Sequence, residues 1–177
     1  MVVQATRDLS GPGQAAAIRD LLQAIFIAEL VLPSKPLWIT SGWISDVEFV
    51  DNTAGAFGCL QPDWPAAPIR LSSAIEAIVA RGGQVRLIVR QVDHNDSFLA
   101  RLADVRRRYG SAAEWRTDPS FHAKGLLGDG FLLEGSMNFT RSGLTVNDER
   151  VSYRTDREGI AQRRLELEEK WGSLPPC

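Results

Sequence analysis

Between Gln14 and Val31 apolar residues recur at Ile18, Leu21, Leu22, Ile25 and Ala28, with Leu32 next in line. That spacing lays them on one face of a helix, which Pro33 and Pro36 bring to a stop. Leu37 to Ile44 (LWITSGWI) is short, branched and aromatic and predicts a strand. A loop rich in Gly, Pro, Asp and Asn follows from Ser45 to Ala67, longer than most connections, which suits a functional rim or an insertion and draws attention to Trp43, Asp46, Asp51 and Asn52 at its start. A second helix over Leu71 to Arg81, with Ser72 or Ser73 near its start and Gly82-Gly83 beyond its end, leads into the buried-looking strand Gln84 to Arg90. A third helix, Asp96 to Tyr109, ends at Gly110, and Ala113 to Arg116 predicts a strand. Phe121 to Leu127 and Phe131 to Glu134 are two apolar runs split by Gly128-Asp129-Gly130, a hairpin turn signal. A polar loop, a strand from Arg150 to Arg154 and a charged helix from about Arg157 to Trp171 complete a single α/β domain over residues 1–177 with no internal repeat.

Composition narrows the partners. The 177 residues are 44% apolar and 24% charged, as in an ordinary globular domain, and 20 basic against 22 acidic residues give a net charge of −2. Any polyanion site must therefore be a local patch. Cys59 and Cys177 lie far apart, with no Cys or His at metal-ligand spacing, so neither a disulfide scaffold nor a zinc knuckle is expected, and no metal or cofactor. The first residues show no basic region followed by an apolar one, so no secretory signal is expected; Arg19, Asp20 and Glu29 interrupt the longest apolar stretch, so no membrane segment is expected either, and the cytoplasm is the expected compartment.

The stretch FHAKGLLGDGFLLEGSMNFT, from Phe121 to Thr140, carries the chemistry. His122 and Lys124 stand two apart on an expected strand, so both leave the same face. If the hairpin pairs around Gly128 to Gly130, then Gly135, Ser136 and Asn138 lie across from them, and an imidazole, an ammonium, a hydroxyl and an amide converge. A phosphodiester suits that set. Its oxygens gain charge during displacement and need placed donors, while a neutral imidazole can attack phosphorus without a metal.

The order His-x-Lys, four residues, Asp, then Gly-Ser-x-Asn resembles the HKD motif of the phospholipase D superfamily, on His122, Lys124, Asp129, Gly135, Ser136 and Asn138. Phe139-Thr140 and the later Asn147 and Glu149 make the chain most similar to the short bacterial nucleases of that superfamily, which hold one motif each. The resemblance implies a mixed sheet flanked by helices on both faces. It also implies roles: His122 as the nucleophile of a phosphohistidine intermediate, Lys124 and Asn138 as ligands of the phosphoryl oxygens, Ser136 as a further phosphate contact, Glu149 as the carboxylate that orients the histidine, and Asp129 and Gly135 as structural residues of the motif. Five residues separate Asp129 from Gly135, one fewer than usual, which implies either a tighter hairpin or a shifted Asp129.

Such a mechanism needs a second histidine to protonate the leaving oxygen. His94 has no lysine two residues on, so a two-fold dimer sharing one pocket is expected. The expected activity is that of a metal-independent endonuclease, with DNA favoured over RNA, and other subunits of a DNA-restriction or defence complex are candidate partners by analogy. Two other readings stay open: a phospholipid phosphodiesterase or transphosphatidylase, and a non-catalytic nucleic-acid-binding subunit. Trp43 either stacks on a base or fills the core. Arg106 and Arg107, with Arg101 and Arg108, either lead phosphates inward or complement the dipole of the third helix.

Overall fold

The computed structural model describes residues 6–11, 13–145 and 149–177. Its main sheet has seven strands: β1 (Thr6–Leu9), β2 (Leu37–Ser41), β5 (Val85–Arg90), β6 (Ala113–Asp118), β7 (Gly125–Leu127), β8 (Leu132–Gly135) and β9 (Val151–Arg154). They lie in the order β1-β9-β8-β7-β2-β5-β6. β2 is the seam. It runs parallel to β5, which runs parallel to β6, and antiparallel to β7, from which β8, β9 and β1 continue as antiparallel pairs. The parallel half is joined through α2 (Leu71–Ala80) and α3 (Asp96–Tyr109), while the antiparallel half turns back on itself at Gly128 to Gly130.

Alternation along the strands separates two cores. Leu37, Ile39, Leu87, Val89, Leu126 and Leu133 face α1 (Ala15–Val31), α2 and α3. Trp38, Ile88, Leu127 and Leu132 face the opposite way, onto Ile160, Leu167 and Trp171 of α5 (Arg157–Ser173). Trp38 and Trp171 meet edge to face at 5.5 Å, and the Arg86 guanidinium stacks on both rings. Each fully buried aromatic or aliphatic side chain contributes about 1.5–3 kcal/mol, so a single helix suffices to cover the second face. Helices thus flank both faces of a mixed sheet.

Several expected elements differ. The expected strand 121–127 is a strand only from Gly125, because the ladder with β2 ends at the Thr40–Gly125 pair and the chain bends at Gly42, leaving 121–124 without a ladder partner on that side. β1 and the short helix α4 (Arg141–Thr145) lie where no element was expected. The 45–67 loop carries β3 (Glu48–Asp51), which pairs with β4 (Pro68–Arg70). Fully buried Asn52 braces this insertion, donating to Pro65 O at 2.8 Å and accepting from Phe57 N at 3.0 Å. Asp46 accepts from Ser72 N in the first turn of α2, and Asp51 from its neighbour Thr53. These three side chains build the scaffold. Cys59 and Cys177 are free and exposed. Among the described residues no helix is long and apolar enough to cross a membrane.

Candidate active site

The C-terminal ends of β2, β5 and β6 open at one edge of the sheet, and the antiparallel half presents the start of β7, the end of β8 and the start of β9 at that same edge. Ligand sites of sheets with parallel strands favour this position, where connections diverge on either side of one strand. Residues from six segments meet there.

The Phe121–Lys124 segment enters through a turn that Asp118 holds. Its carboxylate accepts from the Ser120 backbone and hydroxyl, both at 2.8 Å, and pairs with Lys170 of α5. These bonds, led by that of Lys170, hold the Asp118 carboxyl at about 2. His122 then stands exposed, with its ring edge to face against Trp43 at 6.3 Å between centroids. Lys124 is half-buried, and its ammonium donates to His122 O at 2.8 Å. Burial pushes the Lys124 pKa down, and the negative charge of Glu149 works in the opposite direction.

Across the hairpin, Gly135 N donates to Lys124 O at 3.3 Å. Gly135 is required for close approach rather than for a turn: a Cβ there would lie 1.9 Å from Arg150 O, just before β9. Ser136 N donates to Arg150 O, and the Ser136 hydroxyl both accepts from Arg150 N and donates to the buried carboxylate of Glu149. Asn138 turns toward the end of β2. Its Oδ1 accepts from Trp43 N at 3.1 Å and from the Ser41 hydroxyl at 3.5 Å, which leaves its NH2 as the group able to donate to an anion. Gly42 makes room for this amide, since a Cβ there would sit 3.3 Å from Asn138 Oδ1.

Asp129 lies at the other end of the hairpin. Its carboxylate accepts from Arg164 of α5 at 3.1 Å and from Lys35 N at 3.4 Å, while its own N donates to the Ser34 hydroxyl at 2.9 Å. That hydroxyl in turn donates to buried Glu29, whose pKa burial pushes up. Asp129 is thus a tether of the turn in a tight hairpin, distant from His122. Arg106 and Arg107 are also not brought to the site. They stand in the last turn of α3, about 15 Å along the helix from Asp96 at its start beside the site loops, where Arg106 binds Cys177 O and Arg107 pairs with Asp104. Asn147 lies outside the described residues.

Sequence reasoning missed the supports of the β2 loop. Asn95 is fully buried, accepts from Ile44 N at 2.8 Å and donates to Gly42 O at 3.1 Å and Arg90 O at 2.8 Å. Ser41 donates to Trp43 O at 2.6 Å and accepts from Phe139 N at 3.2 Å. The Arg90 guanidinium lies 5.6 Å from the Trp43 ring centroid and donates to Pro119 O. His94 joins the same loops through Ser45, Nε2 to Oγ 2.9 Å.

Residues 65–171 match the family model described as cardiolipin synthase, PLD-like domain. Among curated proteins none matches the chain. Among solved structures it is similar to Nuc from Salmonella typhimurium, described as a phospholipase D family member, at 16% identity over 99% of both chains with a TM-score of 0.64. NucT from Helicobacter pylori gives 14% identity, a TM-score of 0.65, and coverage of 99% of this chain and 100% of that one. The archaeal chromatin protein TrmBL2, whose structure is described as showing a novel mode of DNA binding, gives 12% identity and 0.58, covering 97% of this chain and 54% of its own. At these identities the likeness is one of fold.

Proposed function

The chain belongs to the PLD-like domain family, and from that membership we propose that it is an endonuclease, hydrolysing nucleic-acid phosphodiester bonds through a phosphohistidine. One observation carries this reading: His122, Lys124, Asn138 and the Ser136–Glu149 pair all stand at one end of the sheet, where Lys124 donates to His122 O and Trp43 contacts both the exposed imidazole and the Asn138 amide.

A ring nitrogen of His122 attacks phosphorus; the N–P bond forms as the bond from phosphorus to the leaving oxygen breaks. Lys124 and the Asn138 NH2 donate to the non-bridging oxygens, whose charge grows in that step. Water then attacks the phosphohistidine, giving its proton to the group that protonated the leaving oxygen; the N–P bond breaks, and the imidazole is released. Through Ser136 and its charge near Lys124, Glu149 keeps the hydroxyl and the ammonium in their working orientation.

The leaving oxygen must take up a proton, and His122 of a second copy is the group we assign to that step, in a two-fold dimer whose subunits face each other across this edge. Exposure of His122, Gly135, Ser136 and Arg150 agrees with a surface that a second copy covers. DNA is the favoured substrate, and partner subunits of a restriction or defence complex would supply sequence specificity.

Purified protein incubated with DNA, RNA, phospholipid vesicles and bis(p-nitrophenyl) phosphate in EDTA tests the reading. We expect DNA cleavage, an acid-labile phosphoryl group on His122, loss of both in His122→Ala, and twice the chain mass in sedimentation. Turnover that survives His122→Ala, or a fully active monomer, overturns the respective part.

A further inference from the structure

The loop that follows β2 touches two of the four motif side chains at once. Its Trp43 indole meets the His122 ring, and its Trp43 N–H fixes the oxygen of the Asn138 amide. The loop itself bears on one buried amide, Asn95, which satisfies Gly42 O on one side of Trp43 and Ile44 N on the other. Asn95 uses its remaining donor on Arg90 O, at the end of β5, and the Arg90 guanidinium returns to the Trp43 ring and to Pro119 O, three residues before His122.

We infer that Asn95 and Trp43 are positioning residues for His122 and Asn138. Asn95 fixes the Gly42–Ile44 backbone, and that backbone presents the indole against which the imidazole is set. Three features favour this over a merely structural role. The polar groups of the Asn95 side chain all serve backbone at this edge. The indole is only half-buried, so it is not held by a core. The imidazole is exposed, and an exposed ring free to sample its rotamers loses most of the advantage of a placed nucleophile. The inference rests on the nuclease reading only for its kinetic consequence; the geometric part stands without it.

The chain has two histidines, so imidazole NMR signals are readily assigned. In the full-length protein, through-space contacts between the Trp43 indole and His122 ring protons are expected, and Asn95→Ala should abolish them and broaden the His122 signals. Against DNA, kcat should fall about 10- to 100-fold with KM within about twofold. Trp43→Leu should reproduce both effects, and Trp43→Phe, which keeps an aromatic face, should recover most of kcat. Unchanged contacts in Asn95→Ala, or lost contacts with unchanged kcat, overturn the inference. Should Asn95→Ala fail to fold, the Trp43→Leu and Trp43→Phe pair decides it, since a half-buried loop residue is replaceable. A wild-type protein without turnover would defeat the nuclease reading, while the NMR contacts would still decide the geometry.

Discussion

The hydroxyl of Ser136 donates to the carboxylate of Glu149, 13 residues further along the chain, and accepts from the N–H of Arg150. One small side chain thereby joins the end of β8 to the approach of β9. Ser136→Ala deletes a bond to a buried charged group and should cost about 1.5–3 kcal/mol in chemical denaturation. Loss of kcat against DNA should accompany it.

Lys124 supplies a pH-dependent prediction. Burial already lowers its pKa, and the nearby negative charge of Glu149 raises it in part. Glu149→Gln removes that support, so the Lys124 pKa should fall further. The chain has three lysines, Lys35, Lys124 and Lys170, so reductive 13C-methylation gives few signals in which to follow it. A Lys124 titration that stays put or moves upward in the variant would contradict the arrangement.

Asp118 predicts the acid limb of stability. Its folded pKa, about 2, lies below the value of an unfolded aspartate, so the native state keeps a carboxylate where the unfolded chain takes a proton. Its contribution is complete above the ordinary aspartate range and drains away as pH falls toward about 2. Urea midpoints measured down to that pH should decline less steeply in Asp118→Asn, which should also be the less stable protein at neutral pH.

Gly135→Ala should be severe for a residue at an exposed strand end. The added methyl would meet Arg150 O at 1.9 Å, so β8 and β9 must part where Ser136 and Glu149 are held together. We expect a loss of about 3 kcal/mol in thermal or urea unfolding and a drop in kcat beyond what stability explains.

Much of this was legible in the sequence, for reasons that differ by residue. Helices α1, α2 and α3 announce themselves by apolar spacing or by the glycine that follows them, α5 by its run of charged residues, and the β7–β8 turn by Gly-Asp-Gly. The motif residues carry a fixed order that survives without knowledge of packing. Asn95 was not legible. It sits in a polar run between Asp93 and Asp96 and reads as solvated loop, yet it is fully buried because the loops after β2 and β5 converge on it. Trp43 could not be divided between core and site, since an indole serves both and only the fold sets its neighbours. Arg106 and Arg107 keep two readings, a phosphate lead-in and a complement to the helix dipole, because sequence does not say which end of α3 meets the site. Strands β3 and β4 are too short to show a period.

The bonds that shape this edge join distant stretches of chain: Trp43 to Asn138 across 95 residues, Phe139 to Ser41 across 98, and Ile44 to Asn95 across 51. Such long closures are entropically costly and are repaid only once both halves of the sheet have docked on β2. The shape of this edge is therefore complete only when the strands on both sides of β2 are in place, and no shorter stretch of the chain carries it alone.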